Sequence, residues 1–503
     1  MAKDRLAEVL ERYEAVIGLE IHTELTSLRS KMFCGCPVAF GGEPNTRVCP
    51  VCLGMPGALP VPNEAAVEAT VLAGLALECE IARFSQFHRK NYFYPDMPKN
   101  YQISQYDLPF CKNGHLDVEV GEGASAYVTR VGITRIHLEE DTGKMIHVGG
   151  AEGRIAGADY SLVDFNRAGT PLIELVTEPD IRTPEEARRF AQTLRTVFLA
   201  LGISDCSMEE GSMRVDANVS IRPRGATEFG TKAEVKNMNS FKALHDALAY
   251  EIVRQADLLD SGGRVVQETR HWDAAAKRTS GLRSKEEAHD YRYFPEPDMV
   301  PFEFTDEWIA SVKAKLPELP AARRERYAAE LGLPKQDARL IADDVALSRF
   351  FEQAVSVAGA DRAKPVANWV LGELSAHLNA TGLAVEECGI LPEMLAELVV
   401  LIEDGTISGK QGKDVFAEMA QTGERPGAVV ERRGMRQVSD TDAIEAVARR
   451  VLDAHPDEVA SYRGGKSGLI GWFVGQVMRE MRGQANPAVV NDVLRALLDQ
   501  QDR

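Results

Sequence analysis

The sequence lacks any uninterrupted apolar run that would cross a bilayer, which takes about 20 consecutive apolar residues. Its N-terminal residues also lack the apolar core of a secretion signal. We therefore expect a cytoplasmic protein that is not inserted in a membrane. In that reducing compartment, the eight cysteines are predicted to be thiols or metal ligands rather than disulfides.

Positive charge is also scarce relative to negative charge. The 58 lysines and arginines against 76 aspartates and glutamates give a net charge of −18. Nonspecific binding to nucleic acids depends on concentrated Lys and Arg that neutralise phosphates. The composition therefore argues against a chain that coats nucleic acid with its whole surface, although a local basic patch is compatible with it.

Two frequent active-site signatures are missing. The pentapeptide G-x-S-x-G, which exposes a serine nucleophile, does not occur. Residues 464–468 read Gly-Gly-Lys-Ser-Gly, but Ala460 stands where a phosphate-binding P-loop requires its leading glycine. We predict a flexible turn there, and neither a serine hydrolase nor a P-loop nucleotide site.

The 503 residues suffice for two to four domains of roughly 100–200 residues each. Alternating strand patterns mix with helical ones up to about residue 300 without a regular βαβ rhythm, which predicts an α+β fold with an antiparallel sheet. Segments rich in Ala, Glu, Arg and Leu then predict helices only. We predict an α+β domain over 1–300, a helical domain over 301–405 and a helical C-terminal domain over 406–503.

Residues 17–25 alternate apolar and polar side chains, as a β-strand with one buried face does. Glu20 and His22 share the polar face, about 7 Å apart by the rise of two strand residues. Such a pair holds a cation or a phosphate if partners converge on it. An ordinary amphipathic strand with solvated polar residues explains the same pattern, so the pair alone decides nothing.

Polar faces of other predicted strands, over 133–140, 213–221 and 232–236, carry candidate partners. If they converge, four acids and His22 make an oxygen-rich site of the kind that Mg²⁺ prefers, and three basic side chains neutralise the oxygens of a transferring phosphate. Each residue taken singly also fits a solvated strand. The four acids are Glu20, Glu139, Asp216 and Glu234, and the basic side chains are Arg214, Lys232 and Lys236.

Residues 84–110, dense in Pro and Asn, predict an ordered loop.

Four cysteines form two close pairs, Cys34-Gly-Cys36 and Cys49-Pro-Val-Cys52, with twelve residues between the pairs. Two such pairs commonly surround a tetrahedral zinc ion, and four thiolates leave no open position for catalysis. We therefore predict a structural zinc site; reduced cysteines without metal, or a redox pair, are the alternatives. The other cysteines are predicted to be small buried side chains: Cys79, Cys111, Cys206 and Cys388.

Several long stretches resemble the B subunits of bacterial aspartyl/glutamyl-tRNA amidotransferases, and together they extend along essentially the full chain. Besides the four paired cysteines, they are GLEIHTEL at 18–25, YFYPDMPKNYQISQY at 92–106, HLEEDTGK at 137–144, GTPLIE at 169–174, MEEGSMRVDAN at 208–218, KNMNSF at 236–241 and DYRYFPEPD at 290–298. Chance similarity at this density is implausible.

The resemblance implies a cradle-shaped α+β domain with a kinase site, a helical domain and a tail domain that contacts tRNA. It also implies two partners: an amidase that hydrolyses glutamine to ammonia, and a small third subunit. In such complexes the protein of this family binds misacylated Glu-tRNA(Gln) or Asp-tRNA(Asn) and phosphorylates the side-chain carboxylate with ATP. Ammonia then displaces phosphate, so the complex is a ligase that forms a C–N bond with glutamine as amide donor.

Carried over by motif, the expected catalytic residues and magnesium ligands are Glu20, His22, Glu139 and Glu234. The expected nucleotide contacts are Arg214, Asp216, Lys232 and Lys236, and Glu140, Glu210 and Asp216 are further candidates for the metal site. Zinc is expected at Cys34, Cys36, Cys49 and Cys52. Two other functions stay open: a noncatalytic subunit for tRNA binding or assembly, and an autonomous ammonia-dependent ligase acting on a free amino acid.

Overall fold

The structure is a computed structural model that describes residues 2–121, 123–149, 157–284, 291–436, 441–481 and 485–499. Asp290, the first residue of one motif, and residues 1 and 500–503, at the ends of the predicted domains, lie outside the described residues. The chain divides into two compact units, one ending at Leu319 and the other beginning at Pro320. The domain boundaries at 300 and 405 stay predictions.

Among the described residues, every β-strand lies in the first unit. They are β1 (Tyr13–Glu24), β2 (Glu80–Ile81), β3 (Phe84–Ser85), β4 (His88–Asn91), β5 (Tyr101–Ser104), β6 (Cys111–Val120), β7 (Tyr127–Glu140), β8 (Lys144–Val148), β9 (Tyr160–Asp164), β10 (Pro171–Thr177), β11 (Met213–Pro223), β12 (Ala233–Lys236), β13 (Glu268–Asp273), β14 (Arg278–Ser284), β15 (Phe294–Pro295) and β16 (Phe302–Glu303). The helices of this unit are α1 (Ala2–Arg12), α2 (Glu64–Ala76), α3 (Pro184–Leu201), α4 (Phe241–Asp260) and α5 (Asp306–Lys313).

Among the described residues, nine strands form the central sheet in the order β14, β13, β12, β11, β1, β10, β7, β6, β2. All neighbouring pairs are antiparallel except β12 and β13, which are parallel. Strand β1 lies in the middle because β11 pairs with it on one side and β10 on the other. The α+β prediction with a mainly antiparallel sheet is confirmed.

One face of this sheet is apolar and covered by helices. Ile17, Leu19 and Ile21 of β1 are buried in the main core, against which α2, α3 and α4 pack. Because side chains alternate along a strand, Glu20 and His22 lie on the opposite face. The helices thus leave the second, polar face of the central strands for the site.

Local signals in the sequence start these helices. The Asn63 side chain accepts hydrogen bonds from the first turn of α2, as an N-cap does. Thr183 caps α3, with Pro184 at its first position, and α3 ends at Gly202 in the left-handed region, with φ 68°. Ser240 caps α4.

The prediction of a loop over 84–110 is wrong in part. Strands β4 and β5 pair there as a hairpin, with His88 opposite Ser104, and β3 pairs with β16. Strands of four residues or fewer are too short to show a period in the sequence. The Pro- and Asn-rich segment over 92–100 is the connection between β4 and β5.

The second unit is helical throughout its described residues. Its helices are α6 (Pro320–Glu330), α7 (Lys335–Ala342), α8 (Val345–Ala358), α9 (Ala363–Trp369), a π-helical segment (Val370–Leu374), α10 (Ser375–Thr381), α11 (Pro392–Glu403), α12 (Gly409–Thr422), α13 (Pro426–Arg432), α14 (Thr441–Ala454), α15 (Pro456–Arg463), α16 (Ile470–Glu480) and α17 (Pro487–Asp499). One hydrophobic core extends from Tyr327 to Val430, and another from Ile444 to Leu498. Of the helices that the structure describes, none has the length and apolar character needed to cross a membrane.

Candidate active site

A row of three ionisable side chains crosses the polar face of the central sheet. His22 on β1 is paired with Glu174 on β10, and Glu174 is paired with His137 on β7. Because directly paired residues of antiparallel strands point to the same face, the three side chains meet. A carboxylate oxygen of Glu174 lies 3.3 Å from Nε2 of His22 and 3.5 Å from Nε2 of His137.

Two groups of potential metal ligands share His22. In each group the ligand atoms lie within 4.8 Å of one another: Glu20, His22 and Asp216 form one, and His22, Glu139 and Glu174 form the other. Carboxylate oxygens predominate, with a single imidazole nitrogen. This donor set fits a hard divalent cation such as Mg²⁺. Tight packing of like charges is costly unless cations lie between them.

The charges of this cluster are strongly coupled. Burial by itself lowers the pKa of His22, but the hydrogen bond to Glu174 and the charges of Glu174 and Glu20 outweigh burial and raise that pKa to about 9. Burial and repulsion by Glu174 raise the pKa of Glu20. Burial would also raise the pKa of Glu174, but the charge of His137 and the hydrogen bond from His22 hold it well below its usual range.

The row lies in an open cleft of about 1220 Å³. Four basic side chains line the cleft beside the acids: Lys90, Arg135, Arg214 and Lys236. Nη2 of Arg214 donates a 2.8 Å hydrogen bond to Asp141, and Nζ of Lys236 donates a 2.5 Å hydrogen bond to Asp216. The cleft therefore presents acids for a cation and basic groups for anionic oxygens within one space.

Tyrosines form one wall of the cleft. Five of the chain's twelve tyrosines line it: Tyr92, Tyr94, Tyr106, Tyr291 and Tyr293. Tyr106 stacks on Tyr293 with ring centroids 4.5 Å apart, and Tyr106 is about half exposed. Nζ of Lys90 lies 4.9 Å from the centroid of the Tyr291 ring. An exposed aromatic stack beside cations is a surface on which a planar base can stack.

The structure brings most of the residues expected from sequence into this cleft. Glu20, His22, Glu139 and Asp216 belong to the two ligand groups, and Arg214 and Lys236 line the same space. Glu234 also lines the cleft, but within the described residues it belongs to neither ligand group. Its carboxylate instead accepts a 2.8 Å hydrogen bond from Thr269 and lies 3.4 Å from Nζ of Lys236.

Of three other expected residues, two lie away from the cleft and one lines it. Lys232 precedes β12, is exposed and is not among the described residues that line the cleft. Glu140 follows Glu139 on β7 and so points away from the cleft, where it pairs with Lys99 and accepts a 3.0 Å hydrogen bond from the backbone of Ile103. Glu210 lines the cleft on the loop before β11.

The sequence did not single out Glu174, Asp141 or Lys90 as site residues. Glu174 is the one charged residue of β10, whose sequence is PLIELVT. An isolated carboxylate within an apolar strand is expensive to bury, which is the signal that would have found it. Asp141 and Lys90 carry no comparable signal, because both lie at or near the ends of strands in polar surroundings.

The four paired cysteines also come together. The sulfur atoms of Cys34, Cys36, Cys49 and Cys52 lie within 4.8 Å of one another. Four sulfur donors at this spacing fit a tetrahedral zinc ion. The hydrogen bond from the Cys34 thiol, the backbone of Cys49 and the charge of Lys31 lower the pKa of Cys52 to about 4. The remaining cysteines are buried, as predicted.

An antiparallel-rich sheet that carries acids, imidazoles and basic groups on its polar face, followed by a helical unit, defines an α+β protein with a candidate site for a metal ion and anionic oxygens. Residues 15–310 match the family described as GatB/GatE catalytic domain, and residues 349–498 match the one described as GatB domain. The chain belongs to the family of the B subunits of aspartyl/glutamyl-tRNA(Asn/Gln) amidotransferases.

Curated relatives support this membership over their whole length. Each of the following is named as the B subunit of an aspartyl/glutamyl-tRNA(Asn/Gln) amidotransferase. The relative from Carboxydothermus hydrogenoformans is 52% identical over 97% of this chain and 99% of its own. The one from Geobacter sp. (strain M21) is 53% identical over 96% and 98%, and the one from Trichodesmium erythraeum is 50% identical over 98% and 99%. The resemblance stated from the sequence is confirmed.

Proposed function

We propose that this chain uses ATP to activate the side-chain carboxylate of glutamate or aspartate carried on tRNA, and that it then forms the amide with ammonia from a partner subunit. The observation that carries this proposal is the cleft in which carboxylates, imidazoles and basic groups converge. The nearly full-length identity to amidotransferase B subunits supports the tRNA-linked substrate.

The chemistry requires activation because a carboxylate would have to expel oxide when ammonia attacks it. A carboxylate oxygen of the substrate attacks the γ-phosphorus of ATP, the bond from phosphorus to the bridging oxygen breaks, and ADP leaves. The nitrogen of ammonia then attacks the carbonyl carbon of the acyl phosphate. The bond from that carbon to the phosphate oxygen breaks, inorganic phosphate leaves with the bonding electrons, and nitrogen loses a proton to give the amide.

Magnesium at either His22-containing group would neutralise charge on the phosphate oxygens. Glu20 and Asp216 would supply the oxygen ligands in one group, and Glu139 and Glu174 would supply them in the other. Arg214 and Lys236 line the cleft and their raised pKa values keep them charged at neutral pH, which supports them as the proposed partners of a transferred phosphate. Glu234, which lines the cleft 3.4 Å from Nζ of Lys236, is proposed as a further catalytic residue and magnesium ligand, and Lys232 as an outer contact of the nucleotide.

The tyrosine wall is proposed to hold an adenine base. Base stacking on aromatic side chains is worth about 1–3 kcal/mol per base and tolerates any base identity. The ring of Tyr106 is stacked on Tyr293, is about half exposed and lines the same cleft as the basic groups, which supports it as the stacking platform. ATP and the 3′-terminal adenosine of tRNA both carry adenine, and the nucleotide and tRNA titrations of the Tyr106 variants separate the two.

The proposal also includes partner subunits and a zinc ion. The relatives are each named as one lettered subunit, which supports an assembly with other subunits, and we propose an amidase A subunit that releases ammonia from glutamine and a small C subunit. The absence of G-x-S-x-G from this sequence agrees with that division of labour.

Zinc at the four paired cysteines is proposed to be structural. We also propose a cytoplasmic location, which fits cysteines that form no disulfides.

The test is an amidation assay on the purified complex with ATP, magnesium, ammonium and Glu-tRNA(Gln) or Asp-tRNA(Asn). Glu20→Ala is expected to abolish amide formation while tRNA binding persists; Lys242→Ala, at an exposed position of α4, is the matched control. Full amide formation by Glu20→Ala would refute the kinase site. A wild-type complex that binds tRNA without turnover would favour the noncatalytic alternative, and turnover of free glutamate would favour the autonomous ligase.

A further inference from the structure

Lys31 is a buried charged side chain that the proposed reaction does not use. It lies between β1 and the first cysteine pair, and only 1% of its surface is exposed. Burying an ammonium group without compensation costs several kcal/mol. Within the described residues, no carboxylate forms an ion pair with Lys31. Its compensation must therefore come from other groups.

Two groups lie near the Lys31 ammonium. Nζ donates a 3.1 Å hydrogen bond to the backbone oxygen of Phe165 and lies 3.7 Å from Sγ of Cys52. The carbonyl is neutral, so the sulfur is the group that can carry compensating charge. The backbone N–H of Cys49 also points at this sulfur, at 3.2 Å. Besides the Cys34 thiol, the Lys31 ammonium and the Cys49 backbone N–H thus both lie at the sulfur of Cys52.

Four thiolates carry more negative charge than one Zn²⁺ ion neutralises. Cys52 is the buried cysteine of this partly exposed cluster, and around its sulfur the excess charge is expensive, as is the buried ammonium of Lys31. Hydrogen bonds and charges beside metal ligands tune how strongly the ligands hold the metal. The ammonium of Lys31 and the thiolates therefore stabilise each other, and in the metal-bound form all four cysteines are thiolates.

We propose that Lys31 is the buried countercharge of the cysteine cluster and slows the loss of its zinc, an inference that rests on the proposed zinc site. A second lysine, Lys99, lines the same cavity of about 190 Å³ but is paired with Glu140. Lys31 is therefore the lysine of this cavity whose charge is left for the sulfur atoms.

Lys31 also joins the cluster to the loop that enters β10. The Phe165 oxygen that accepts from Lys31 belongs to this loop, and the backbone N–H of Met32 donates a 2.7 Å hydrogen bond to Gly169 O. Gly169 has φ +85°, and a Cβ there would lie 3.4 Å from Cδ of Lys31. Lys31 and Met32 thus connect the cysteine cluster to the loop that leads into β10, the strand that carries Glu174.

The test measures metal retention in the full chain rather than activity. Wild type, Lys31→Met, Lys31→Gln, Lys31→Arg and Lys242→Met are loaded with zinc, and zinc release to a chromophoric chelator is followed. Loss of an outer contact typically weakens metal binding 10- to 100-fold. We expect Lys31→Met and Lys31→Gln to weaken zinc retention roughly 10- to 100-fold. Lys31→Arg and the exposed-lysine control Lys242→Met should retain zinc nearly as well as wild type.

Each result decides the proposal. Gln keeps a hydrogen-bond donor without the charge. If Lys31→Gln retains zinc as well as wild type, the countercharge role is overturned. The role is also overturned if Lys31→Arg and Lys31→Met lose zinc equally fast. If Lys31→Met does not fold, the Gln and Arg comparison still decides. Cobalt loading separates this failure from that of the zinc site: a wild-type chain without thiolate-to-cobalt absorption would show that the cysteines hold no metal.

Discussion

Nε2 of His22 lies 3.3 Å from the carboxylate of Glu174, which is its direct partner across strands β1 and β10. The two residues are far apart in the sequence and come together because β1 pairs with β10 in this register. Nε2 of His137 lies beside the same carboxylate, so two imidazoles flank Glu174. This arrangement fixes the ring orientation of the residue shared by both ligand groups.

We expect Glu174→Gln to weaken binding of a divalent cation and to slow amide formation, because the amide removes one negative ligand and loosens His22. The expected loss of affinity is roughly 10- to 100-fold. Mn²⁺ titration followed by electron paramagnetic resonance measures it directly. Glu119→Gln on β6, an exposed carboxylate, is the matched control. Unchanged Mn²⁺ affinity in Glu174→Gln would exclude Glu174 from the metal site.

The metal-free chain is expected to lose stability between about pH 7 and pH 9. Folding raises the pKa of His22 from 6.5 to about 9. The protonated imidazole therefore contributes stability that is complete below pH 6.5 and is lost as the pH rises through about 9. Thermal unfolding of the magnesium-free chain at several pH values measures this loss, and His22→Gln is expected to remove that part of the pH dependence.

The same imidazole must be neutral to bind a metal. We expect Mn²⁺ affinity to rise over the pH range in which the metal-free fold weakens, because binding releases the proton of His22. The rise should be absent in His22→Gln. Equal pH slopes of Mn²⁺ affinity for wild type and His22→Gln would contradict the assignment of His22 as a ligand.

Tyr106→Ala is expected to raise the KM for the substrate whose adenine stacks there. The expected increase is roughly 5- to 150-fold, which corresponds to about 1–3 kcal/mol of stacking. Tyr106→Phe keeps the ring and should behave as wild type, and Tyr160→Ala on β9 is the control at an exposed tyrosine outside the cleft. Separate titrations with ATP and with Glu-tRNA show which adenine is bound; no change in either KM would disprove the stacking role.

Removing the chain from residue 437 onward is expected to weaken tRNA binding while leaving the zinc content unchanged. This cut leaves the core that ends at Val430 intact and removes the core formed by Ile444 to Leu498. A cut near residue 410 would instead remove Phe416 and Val430 from the earlier core. Gel-shift titration with tRNA measures the effect, and wild-type affinity of the shortened chain would rule out a tRNA contact by this region.

Much of the local structure follows from neighbouring residues in the sequence. Alternation of side chains predicted β1 and β11, and the caps Asn63 and Thr183 are local signals at the starts of α2 and α3. These signals are local, because a strand's faces and a helix's first turn depend on residues a few positions apart. The short strands β3 to β5 carry too few residues to produce such a signal.

The sequence by itself determined the chemical inventory: the family, the paired cysteines, and strands whose polar faces carry Glu20, His22 and Glu139. Only the tertiary structure decided which of these side chains meet, because strand order and register depend on contacts between distant parts of the chain. That order placed Glu174 beside His22, turned Glu140 toward Lys99 and left Lys232 outside the cleft. It also buried Lys31 against Cys52, which no spacing in the sequence indicates.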